Sequence, residues 1–444
     1  MKKSIHIYQK IDIFKKKSIT VPGDKSLSIR FILLSSLSNG KCTGINILRS
    51  DDVLSAIKCI RKLGIKIYLK NQKCEVFGKG LNGYKFSKNL ILDAGNSGTT
   101  ARLLCAILIN SPQTIKIIGD KSLKKRDMNR IIKPLKKFGI RLISKNGKLP
   151  IRIKGVMNPK PIVFKENLGS AQCKSAVMIA GLKTDGITKL QCLPSRNHTE
   201  LMFKNVLKVP IKIKTSNKYD IIELNGQKEF SSFNYIIPGD ISSAAFFLVL
   251  TLLSKKKTLM VKNVNTNPSR IGMIKILNLM GAKIKFFNKR IYKGEFKADI
   301  YIESQKNLKA INLDPKMNSS AIDEFLLIFL VASRCKGIST FKKLSELNKK
   351  ESKRLDWGLK ILKMMGVKTK KIKSDGIKIW GKPNLTLNKD FTIKNFLKDH
   401  RIFMTATIAA LTLGGNWRIH DPESYKTSFP SFLEELKMLG AKIR

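Results

Sequence analysis

A small or polar cluster followed by an apolar run recurs six times along the chain, at intervals of roughly 70 to 85 residues. Small polar residues cap helices, and the apolar run after each cluster predicts a buried helix. Repetition at a fixed period indicates that the chain is built from six copies of one α/β unit. The six clusters occupy residues 22–26, 95–100, 169–172, 238–243, 320–324 and 399–401.

A second element recurs in step with the first: an apolar residue, a pivot and a short predicted strand. The pivot is glycine in five copies, Gly64, Gly139, Gly281, Gly366 and Gly440. The third copy, around Lys208 and Pro210, has lost its glycine. Both elements therefore predict six α/β repeats, and 444 residues are enough for two or three domains.

The charge of the chain is strongly positive, because 86 Lys and Arg against 31 Asp and Glu give +55. Such a field attracts nucleic acid and other anions. The lysines are spread evenly among abundant Ile and Asn, which favours compositional drift, and aromatic residues make up only 7%. We therefore expect no specific nucleic-acid partner, but a local cluster of cations around an anionic ligand.

The cysteines and the apolar segments indicate where the protein works. The seven cysteines form no CxxC pair and no zinc spacing, so we expect no metal and a reducing compartment. The N-terminus lacks the apolar region of an export signal. The longest apolar stretch, 241–253, is too short to span a bilayer. These features predict a cytoplasmic protein without a membrane role. Because no P-loop or Rossmann fingerprint is present, we expect neither ATP nor NAD as cofactor.

The starts of the predicted helices are candidate anion sites, since unpaired N–H groups and the helix dipole both favour negative charge. The first cluster places Lys25, Ser26 and Arg30 on the first turns of a helix. The second offers Asn96, Gly98 and Thr99, followed by Arg102. Downstream, a run of four cations closes with Arg126, the member that we single out for ligand binding.

Acid–base candidates are few in a chain so poor in acids. Asp323 opens the fifth repeat, although helix capping alone would account for it. Lys350 stands beside Glu351, and a lysine near a phosphate can act as a general acid or a charge clamp. Arg401 opens the sixth repeat and suits carboxylate or phosphate binding.

With these motifs in order, the chain resembles the 5-enolpyruvylshikimate-3-phosphate synthase family of enolpyruvyl transferases. The resemblance runs from about Ser18 to the C-terminus. Besides the clusters above, the resemblance rests on the segments 119–123, 170–176, 195–200, 267–270, 350–352 and 427–430.

The resemblance implies an α/β fold of two domains, each with three βαβαββ-type units, around a central cleft. The first domain would span 22–237, and the second would combine 1–21 with 238–444. It also implies transfer of the carboxyvinyl group of phosphoenolpyruvate to the 5-hydroxyl of shikimate 3-phosphate. The reaction proceeds by addition and elimination through a tetrahedral intermediate and needs no cofactor or metal. We expect a monomer whose partners are these two small molecules.

The same resemblance assigns site residues. Shikimate 3-phosphate would contact Lys25, Ser26, Arg30, Ser170, Ala171, Gln172, Ser195, Asp323 and Lys350. Phosphoenolpyruvate would contact Lys25, Asn96, Gly98, Thr99, Arg126, Gln172, Arg354, Arg401 and, as a weaker candidate, Lys426. The catalytic set would be Lys25, Asp323 as the base for the 5-hydroxyl, Glu351 as the proton donor to the vinyl carbon, and Lys350 on the leaving side.

The chain departs from the family pattern beside several of these residues, at Ile29, Asp127, Asn197, Asn348 and Lys353. Such drift is compatible with a working enzyme in which the residues around the ligand-binding ones are less constrained. It is also compatible with a decayed, inactive copy. The related transferase acting on UDP-N-acetylglucosamine is disfavoured, because the basic loop 121–126 has no cysteine. An RNA 3′-phosphate cyclase is disfavoured because neither His198 nor His400 has the setting of a nucleophile. A non-enzymatic nucleic-acid binder is supported by the charge alone.

Overall fold

Five of the six predicted helix starts are capped by an Asp or Ser side chain just before the helix. In the computed structural model, which describes residues 3–216 and 218–444, each of these side chains accepts a backbone N–H two or three residues ahead at 2.7 to 3.3 Å. Each bond satisfies one of the otherwise unpaired donors of the first turn. The capping residues are Asp24, Ser97, Ser170, Asp240 and Asp399.

The fifth helix start differs from the others. Glu324 occupies the N-cap position of the helix Phe325–Ala332 and makes no capping side-chain bond. The interpretation of Asp323 as a helix cap is therefore wrong. Its carboxylate instead faces Lys350 and Arg354.

The repeats fold as alternating strands and helices. The strands are β1 (Ser4–Ile7), β2 (Ser18–Thr20), β3 (Asn39–Ile45), β4 (Lys66–Lys70), β5 (Lys73–Lys79), β6 (Ile91–Asp93), β7 (Thr114–Ile118), β8 (Arg141–Ser144), β9 (Ile151–Lys154), β10 (Val163–Glu166), β11 (Ile187–Cys192), β12 (Ile211–Thr215), β13 (Asp220–Asn225), β14 (Asn234–Ile236), β15 (Thr258–Asn265), β16 (Ile284–Tyr292), β17 (Glu295–Glu303), β18 (Ile338–Phe341), β19 (Thr369–Ile372), β20 (Gly376–Trp380), β21 (Leu387–Ile393) and β22 (Gly414–His420). The helices are α1 (Lys25–Ser36), α2 (Asp51–Lys62), α3 (Gly98–Ile107), α4 (Asn129–Lys136), α5 (Ala171–Gly181), α6 (His198–Met202), α7 (Ile241–Leu253), α8 (Gly272–Leu279), α9 (Asn318–Ala321), α10 (Phe325–Ala332), α11 (Arg354–Met364), α12 (His400–Leu413) and α13 (Phe432–Leu439).

Contacts divide the chain into two compact units, each with its own hydrophobic core. The unit here called the first domain comprises Gly23–Ile237 and the tetrapeptide Tyr292–Glu295, and the second domain comprises residues 3–22, Pro238–Ile291 and Phe296–Arg444. Pro22 and the tetrapeptide thus lie in the opposite units from those that the sequence predicted. Residues 1 and 2 of the predicted second domain lie outside the described residues.

The three sheets of the first domain share one topology. Their strand orders are β14-β3-β5-β4, β6-β7-β9-β8 and β10-β11-β13-β12. In each sheet the first pair is parallel and the next two pairs are antiparallel. This common pattern is the physical form of the sequence repeat.

The second domain varies the same pattern. Its sheets are β16-β17-β15-β2, β18-β20-β19 and β1-β22-β21. In the fifth repeat the parallel strand is reduced to two bridges, Lys309 to Lys336 and Asn312 to Thr340. In the sixth, the strand predicted after Gly440 is not formed, and Arg444 only exchanges two backbone hydrogen bonds with His6.

Apolar sequence all round a helix predicts complete burial, and three helices of the second domain show it. Every residue of α7, α10 and α12 is buried, and the three helices pack against one another. Their polar starts therefore carry the side chains that can meet a ligand. No helix within residues 3–216 and 218–444 is long and apolar enough to cross a membrane.

Candidate active site

The start of α1 presents a cation that is held in place but still accessible. Asp24 accepts the backbone N–H of Leu27 at 3.0 Å, which leaves Lys25 and Ser26 in the first turn. The Lys25 ammonium lies 2.9 Å from a carboxylate oxygen of Asp52 at the start of α2. A fifth of the Lys25 side chain is exposed. The ion pair thus orients Lys25 without removing it from solvent.

Arg30 is a buried cation one turn further along α1. Its Nε donates to Thr199 Oγ1 at 2.8 Å, Nη2 to Ser175 Oγ at 2.9 Å and Nη1 to the carbonyl oxygen of Ser26 at 3.1 Å. Burial lowers the pKa of Arg30 to about 10, against the opposing field of Glu200 and other carboxylates. The guanidinium therefore stays charged at neutral pH, fixed by hydroxyl groups.

The start of α3 gathers two guanidinium groups around a glycine. Arg126 Nη2 donates to Asn96 Oδ1 at 2.6 Å, and Asn96 Nδ2 donates to Asp120 at 2.6 Å. A Cβ atom on Gly98 would lie 3.0 Å from Arg126 Nη1 and 3.1 Å from Arg102 Nη1. Arg126 is buried, unlike the lysines of the run that it closes. Glycine at position 98 thus leaves room for both cations.

Gln172 connects the starts of α3 and α5. Ser170 is the cap of α5 and Ala171 its first residue. Gln172 Nε2 donates to Thr99 Oγ1 at 2.9 Å, and its Oε1 accepts a hydrogen bond from Arg102. Both ends of the amide are thereby fixed between the second and third repeats.

Ser195 carries a buried hydroxyl that has no hydrogen-bond partner among the described residues. Its carbonyl oxygen accepts from Lys174 Nζ at 3.4 Å, and Lys174 is paired with Glu200 at 2.5 Å. Buried polar groups are normally hydrogen-bonded. An unpartnered hydroxyl near fixed cations is typical of a group that binds a ligand.

The second domain joins a carboxylate and an amine at the predicted acid–base position. Lys350 Nζ lies 3.0 Å from Asp323 Oδ1, and 27% and 17% of the two side chains are exposed. The pair is thus accessible to a substrate. Proton exchange between a carboxylate and an amine at this distance is direct.

Arg354 is buried among three carboxylates. Its Nε donates to Asp399 Oδ2 at 2.9 Å and its Nη2 to Asp399 Oδ1 at 3.1 Å. Nη2 also lies 2.5 Å from Glu351 Oε2, and Nη1 lies 3.5 Å from Asp323 Oδ1. Burial alone would lower the pKa of Arg354, but these carboxylates outweigh it and raise the pKa above its ordinary value. Four of the five N–H donors of Arg354 are thus directed at carboxylates.

Arg401 is held more loosely than Arg354. Its Nη1 lies 3.4 Å from the carbonyl oxygen of Ser242 and 3.9 Å from Glu324 Oε1, and the guanidinium lies 5.7 Å from the Phe246 ring centre. Its buried Nε has no hydrogen-bond partner within residues 3–216 and 218–444. The cation therefore retains donor capacity for a carboxylate or phosphate.

Lys426 differs from the other predicted ligands. It lies in the short helix Ser424–Thr427, pairs with Glu423 and is 46% exposed. The helix is attached to α12 through a hydrogen bond between Thr427 and His400. None of these contacts adds to its candidacy as a ligand.

Two acids that organise these clusters were not predicted from the sequence. Asp52 fixes Lys25, and Asp399, noted only as the start of a repeat, fixes Arg354 and also accepts from Ser352 Oγ at 2.8 Å. The only signal for them in the sequence is the rarity of acids in so basic a chain, where a carboxylate has many possible cationic partners.

Two departures from the family pattern have local structural roles. Asn348 Oδ1 accepts the backbone N–H of Leu355 at 3.0 Å, and Asp127 Oδ1 accepts that of Asn129 at 2.9 Å. The acid that follows Arg126 is therefore hydrogen-bonded to backbone.

Comparison with known proteins identifies the family of the chain. The model of the family described as EPSP synthase (3-phosphoshikimate 1-carboxyvinyltransferase) matches residues 14–436. A protein named 3-phosphoshikimate 1-carboxyvinyltransferase from Ruthia magnifica subsp. Calyptogena magnifica is 40% identical over 432 residues, 96% of this chain and 95% of the relative. One of the same name from Zymomonas mobilis subsp. mobilis is 37% identical over 429 residues, 96% of this chain and 94% of the relative.

Solved structures give the same result for the fold. EPSP synthase from Acinetobacter baumannii superposes with a TM-score of 0.86 at 34% identity, covering 100% of this chain and 99% of the other. The enolpyruvyl transferase NikO from Streptomyces tendae, at 12% identity, shares the fold with a TM-score of 0.78 over 99% and 98% of the two chains. The predicted two-domain enolpyruvyl-transferase fold is confirmed, and the chain belongs to the EPSP synthase (3-phosphoshikimate 1-carboxyvinyltransferase) family.

Proposed function

We infer that the chain transfers the carboxyvinyl group of phosphoenolpyruvate to the 5-hydroxyl of shikimate 3-phosphate and releases phosphate. The observation that carries this function is the similarity to proteins named 3-phosphoshikimate 1-carboxyvinyltransferase, one of them 40% identical over 96% of the chain. The reaction belongs to the shikimate pathway of aromatic amino-acid biosynthesis. The polar clusters of the two domains supply the cations and the acid–base groups that it requires.

We propose that shikimate 3-phosphate is bound mainly through the first domain. Arg30, charged at neutral pH, and the unpartnered hydroxyl of Ser195 are groups that a phosphate ester would satisfy. The starts of α1 and α5 add N–H donors favourable to an anion. The proposed contacts are Lys25, Ser26, Arg30, Ser170, Ala171, Gln172, Ser195, Asp323 and Lys350.

Phosphoenolpyruvate, with a carboxylate and a phosphate, requires several cations. Arg126 and Arg401 are buried guanidiniums, and Arg401 has an unused donor. Arg354 would release Glu351 to take the substrate carboxylate, which would let Glu351 hold a proton. The proposed contacts are Lys25, Asn96, Gly98, Thr99, Arg126, Gln172, Arg354 and Arg401, with Lys426 the weakest.

In the first step, the 5-oxygen of shikimate 3-phosphate bonds to C2 of phosphoenolpyruvate. Asp323 takes the hydroxyl proton, and Glu351 gives a proton to C3, so that the vinyl carbon becomes a methyl group. Fixed cations stabilise the charge of the tetrahedral intermediate. No covalent bond to the protein is formed.

In the second step, the bond between C2 and the phosphate oxygen breaks. Lys350 protonates the departing phosphate and recovers a proton from Asp323, which lies 3.0 Å away. Glu351 takes back a proton from the methyl group, and the double bond is restored. The hydroxyl proton thus leaves on phosphate, and every protein group returns to its first state.

We also propose that the protein works as a cytoplasmic monomer. All seven cysteines are buried and unpaired, and burial raises the pKa of several of them to about 12, including Cys59 and Cys105. Inert thiols of this kind are typical of proteins in a reducing compartment.

The function is tested by phosphate release from the two substrates together and from each alone. We expect release only with both, and a fall in kcat of about 100- to 10,000-fold in Glu351→Gln, because the side chain can no longer donate a proton. Glu346→Gln is the matched control, since Glu346 is a neighbouring, half-buried acid that pairs with Lys349. No release from the folded wild type would instead identify a decayed copy, and equal loss in both variants would contradict the role of Glu351.

A further inference from the structure

The segment 195–200, which carries Ser195, is anchored by charged side chains from three different parts of the chain. Arg30 donates to Thr199 at 2.8 Å, and Lys174 is paired with Glu200 at 2.5 Å. The third anchor is Glu295, which accepts a hydrogen bond from His198 Nδ1 at 2.6 Å. Arg30 and Lys174 belong to the repeat motifs, whereas Glu295 lies 97 residues beyond His198 and belongs to none.

The contact between Glu295 and His198 is fully enclosed, because each side chain is 1% exposed. A buried carboxylate is costly unless it is hydrogen-bonded, so this bond favours one position of the imidazole strongly. His198 is also the first residue of α6, three positions after Ser195. Its orientation therefore sets the path of the backbone that carries the Ser195 hydroxyl.

Glu295 itself has a fixed position, because the tetrapeptide Tyr292–Glu295 is docked in the first domain. The Tyr292 hydroxyl accepts the backbone N–H of Ile236 at 3.2 Å, and its ring centre lies 5.7 Å from that of Tyr235. Gly294 has a φ of +85°, which favours glycine, and a Cβ atom there would lie 2.2 Å from Asn205 Nδ2. The carboxylate thus follows directly on a segment that contacts the first domain.

We propose that Glu295 is a positioning residue for shikimate 3-phosphate, acting through His198 on the segment that presents Ser195 and Thr199. This inference rests on the proposed function, in which that segment contacts the substrate. Glu295 does not touch the substrate. Its removal should therefore weaken the binding of shikimate 3-phosphate selectively and leave phosphoenolpyruvate, gripped by other helix starts, little affected.

The experiment compares Glu295→Ala and Glu295→Gln in the full chain. We expect Glu295→Ala to raise KM for shikimate 3-phosphate by about tenfold or more, the loss of one hydrogen bond to a charged group. KM for phosphoenolpyruvate should change by less than about twofold. Glu295→Gln keeps a hydrogen-bond acceptor for Nδ1, folds without an uncompensated cavity and should recover most of the affinity. Glu303→Gln, at the other end of the same strand, is the control and should match the wild type.

Direct calorimetric titration with shikimate 3-phosphate separates this inference from the proposed function. If the wild type binds the ligand but releases no phosphate, the function fails, while weaker binding by Glu295→Ala still supports the inference. Equal affinity in wild type and Glu295→Ala overturns the inference, as does a fall in Tm and kcat with both KM values unchanged.

Discussion

At the scale of single residues, Lys183 connects the three repeats of the first domain. It is buried, and its Nζ donates to Asn110 Oδ1 at 2.8 Å and to the carbonyl oxygen of Leu81. Lys183, Asn110 and Leu81 belong to the third, second and first repeats. Burial lowers the pKa of Lys183 from 10.5 to about 7, with Glu229 opposing the shift. A neutral amine can still donate both bonds.

This lowered pKa predicts a stability that rises with pH. Between about 7 and 10.5 the unfolded chain binds a proton at Lys183 that the folded chain does not, so the free energy of unfolding increases with pH there. Below pH 7 both states are protonated and the full penalty applies. We expect this increase, about 1.4 kcal/mol of unfolding free energy per pH unit, to be absent in Lys183→Met. The measurement is urea unfolding from pH 7.5 to 9.5.

The control for this measurement is Lys62→Met. Lys62 also donates to a backbone carbonyl, that of Ile91, but it is exposed. Its removal should leave the pH slope of the wild type intact. Lost hydrogen bonds lower the stability of Lys183→Met at every pH, so only the slope is diagnostic. Parallel curves for wild type and Lys183→Met would exclude the proposed titration.

The positions of candidate residues were predictable where a repeat marks them, whereas contacts between residues distant in sequence were not. The helix-start cations, such as Lys25 and Arg401, follow from local pattern and charge. The acids that fix them do not, since Asp52 meets Lys25 across 27 positions and Glu295 meets His198 across 97. Such pairs depend on tertiary contacts that no local periodicity records.

At the scale of elements, the pivot before the strand has a common backbone conformation. The glycines at this position have φ between +71° and +115°. Lys208 takes the same place in the third repeat with φ of +53°. A side chain in the left-handed region costs about 1–2 kcal/mol, so the repeat geometry is kept at the expense of local strain.

We expect Lys208→Gly to stabilise the first domain by about 0.5–1 kcal/mol. Relief of the left-handed strain outweighs the added entropy of glycine in the unfolded chain. Lys204→Gly is the matched control, since Lys204 is an exposed lysine within the preceding helical turn, Phe203–Leu207, where glycine should cost about 1 kcal/mol. Urea midpoints of the two variants should move in opposite directions, and a destabilised Lys208→Gly would refute the strain.

Most elements were predictable because the repeat combines caps, apolar runs and pivots. Prediction failed where contacts with other parts of the chain, rather than the local sequence pattern, determine the structure. Residues 441–444 follow a proper pivot but form no strand, because Ala441 donates its backbone N–H back to Leu436 of α13 and Arg444 alone exchanges backbone hydrogen bonds with His6. Asp323 resembles a cap in sequence, yet Glu324 takes the cap position and frees Asp323 for Lys350.

At the scale of the whole molecule, the net charge of +55 opposes folding through repulsion between like charges. The described ion pairs include several that join exposed lysines to acids, such as Lys189 with Glu223 and Lys41 with Glu75. With 86 basic and 31 acidic residues, most cations cannot be paired in this way. Both domains therefore fold against an unfavourable field.

We predict that salt stabilises the protein. The screening length falls from about 30 Å at 10 mM to about 8 Å at 150 mM salt, which weakens the repulsion between distant lysines far more than close ion pairs. Tm should rise by a few degrees over this range of sodium chloride, measured by calorimetry without phosphate or sulfate. A variant with Lys88→Glu and Lys145→Glu, both exposed in the first domain, should start from a higher Tm and gain less from salt. If Tm fell with salt in the wild type, close ion pairs would dominate over the net charge, and the excess of lysine would have no bearing on stability.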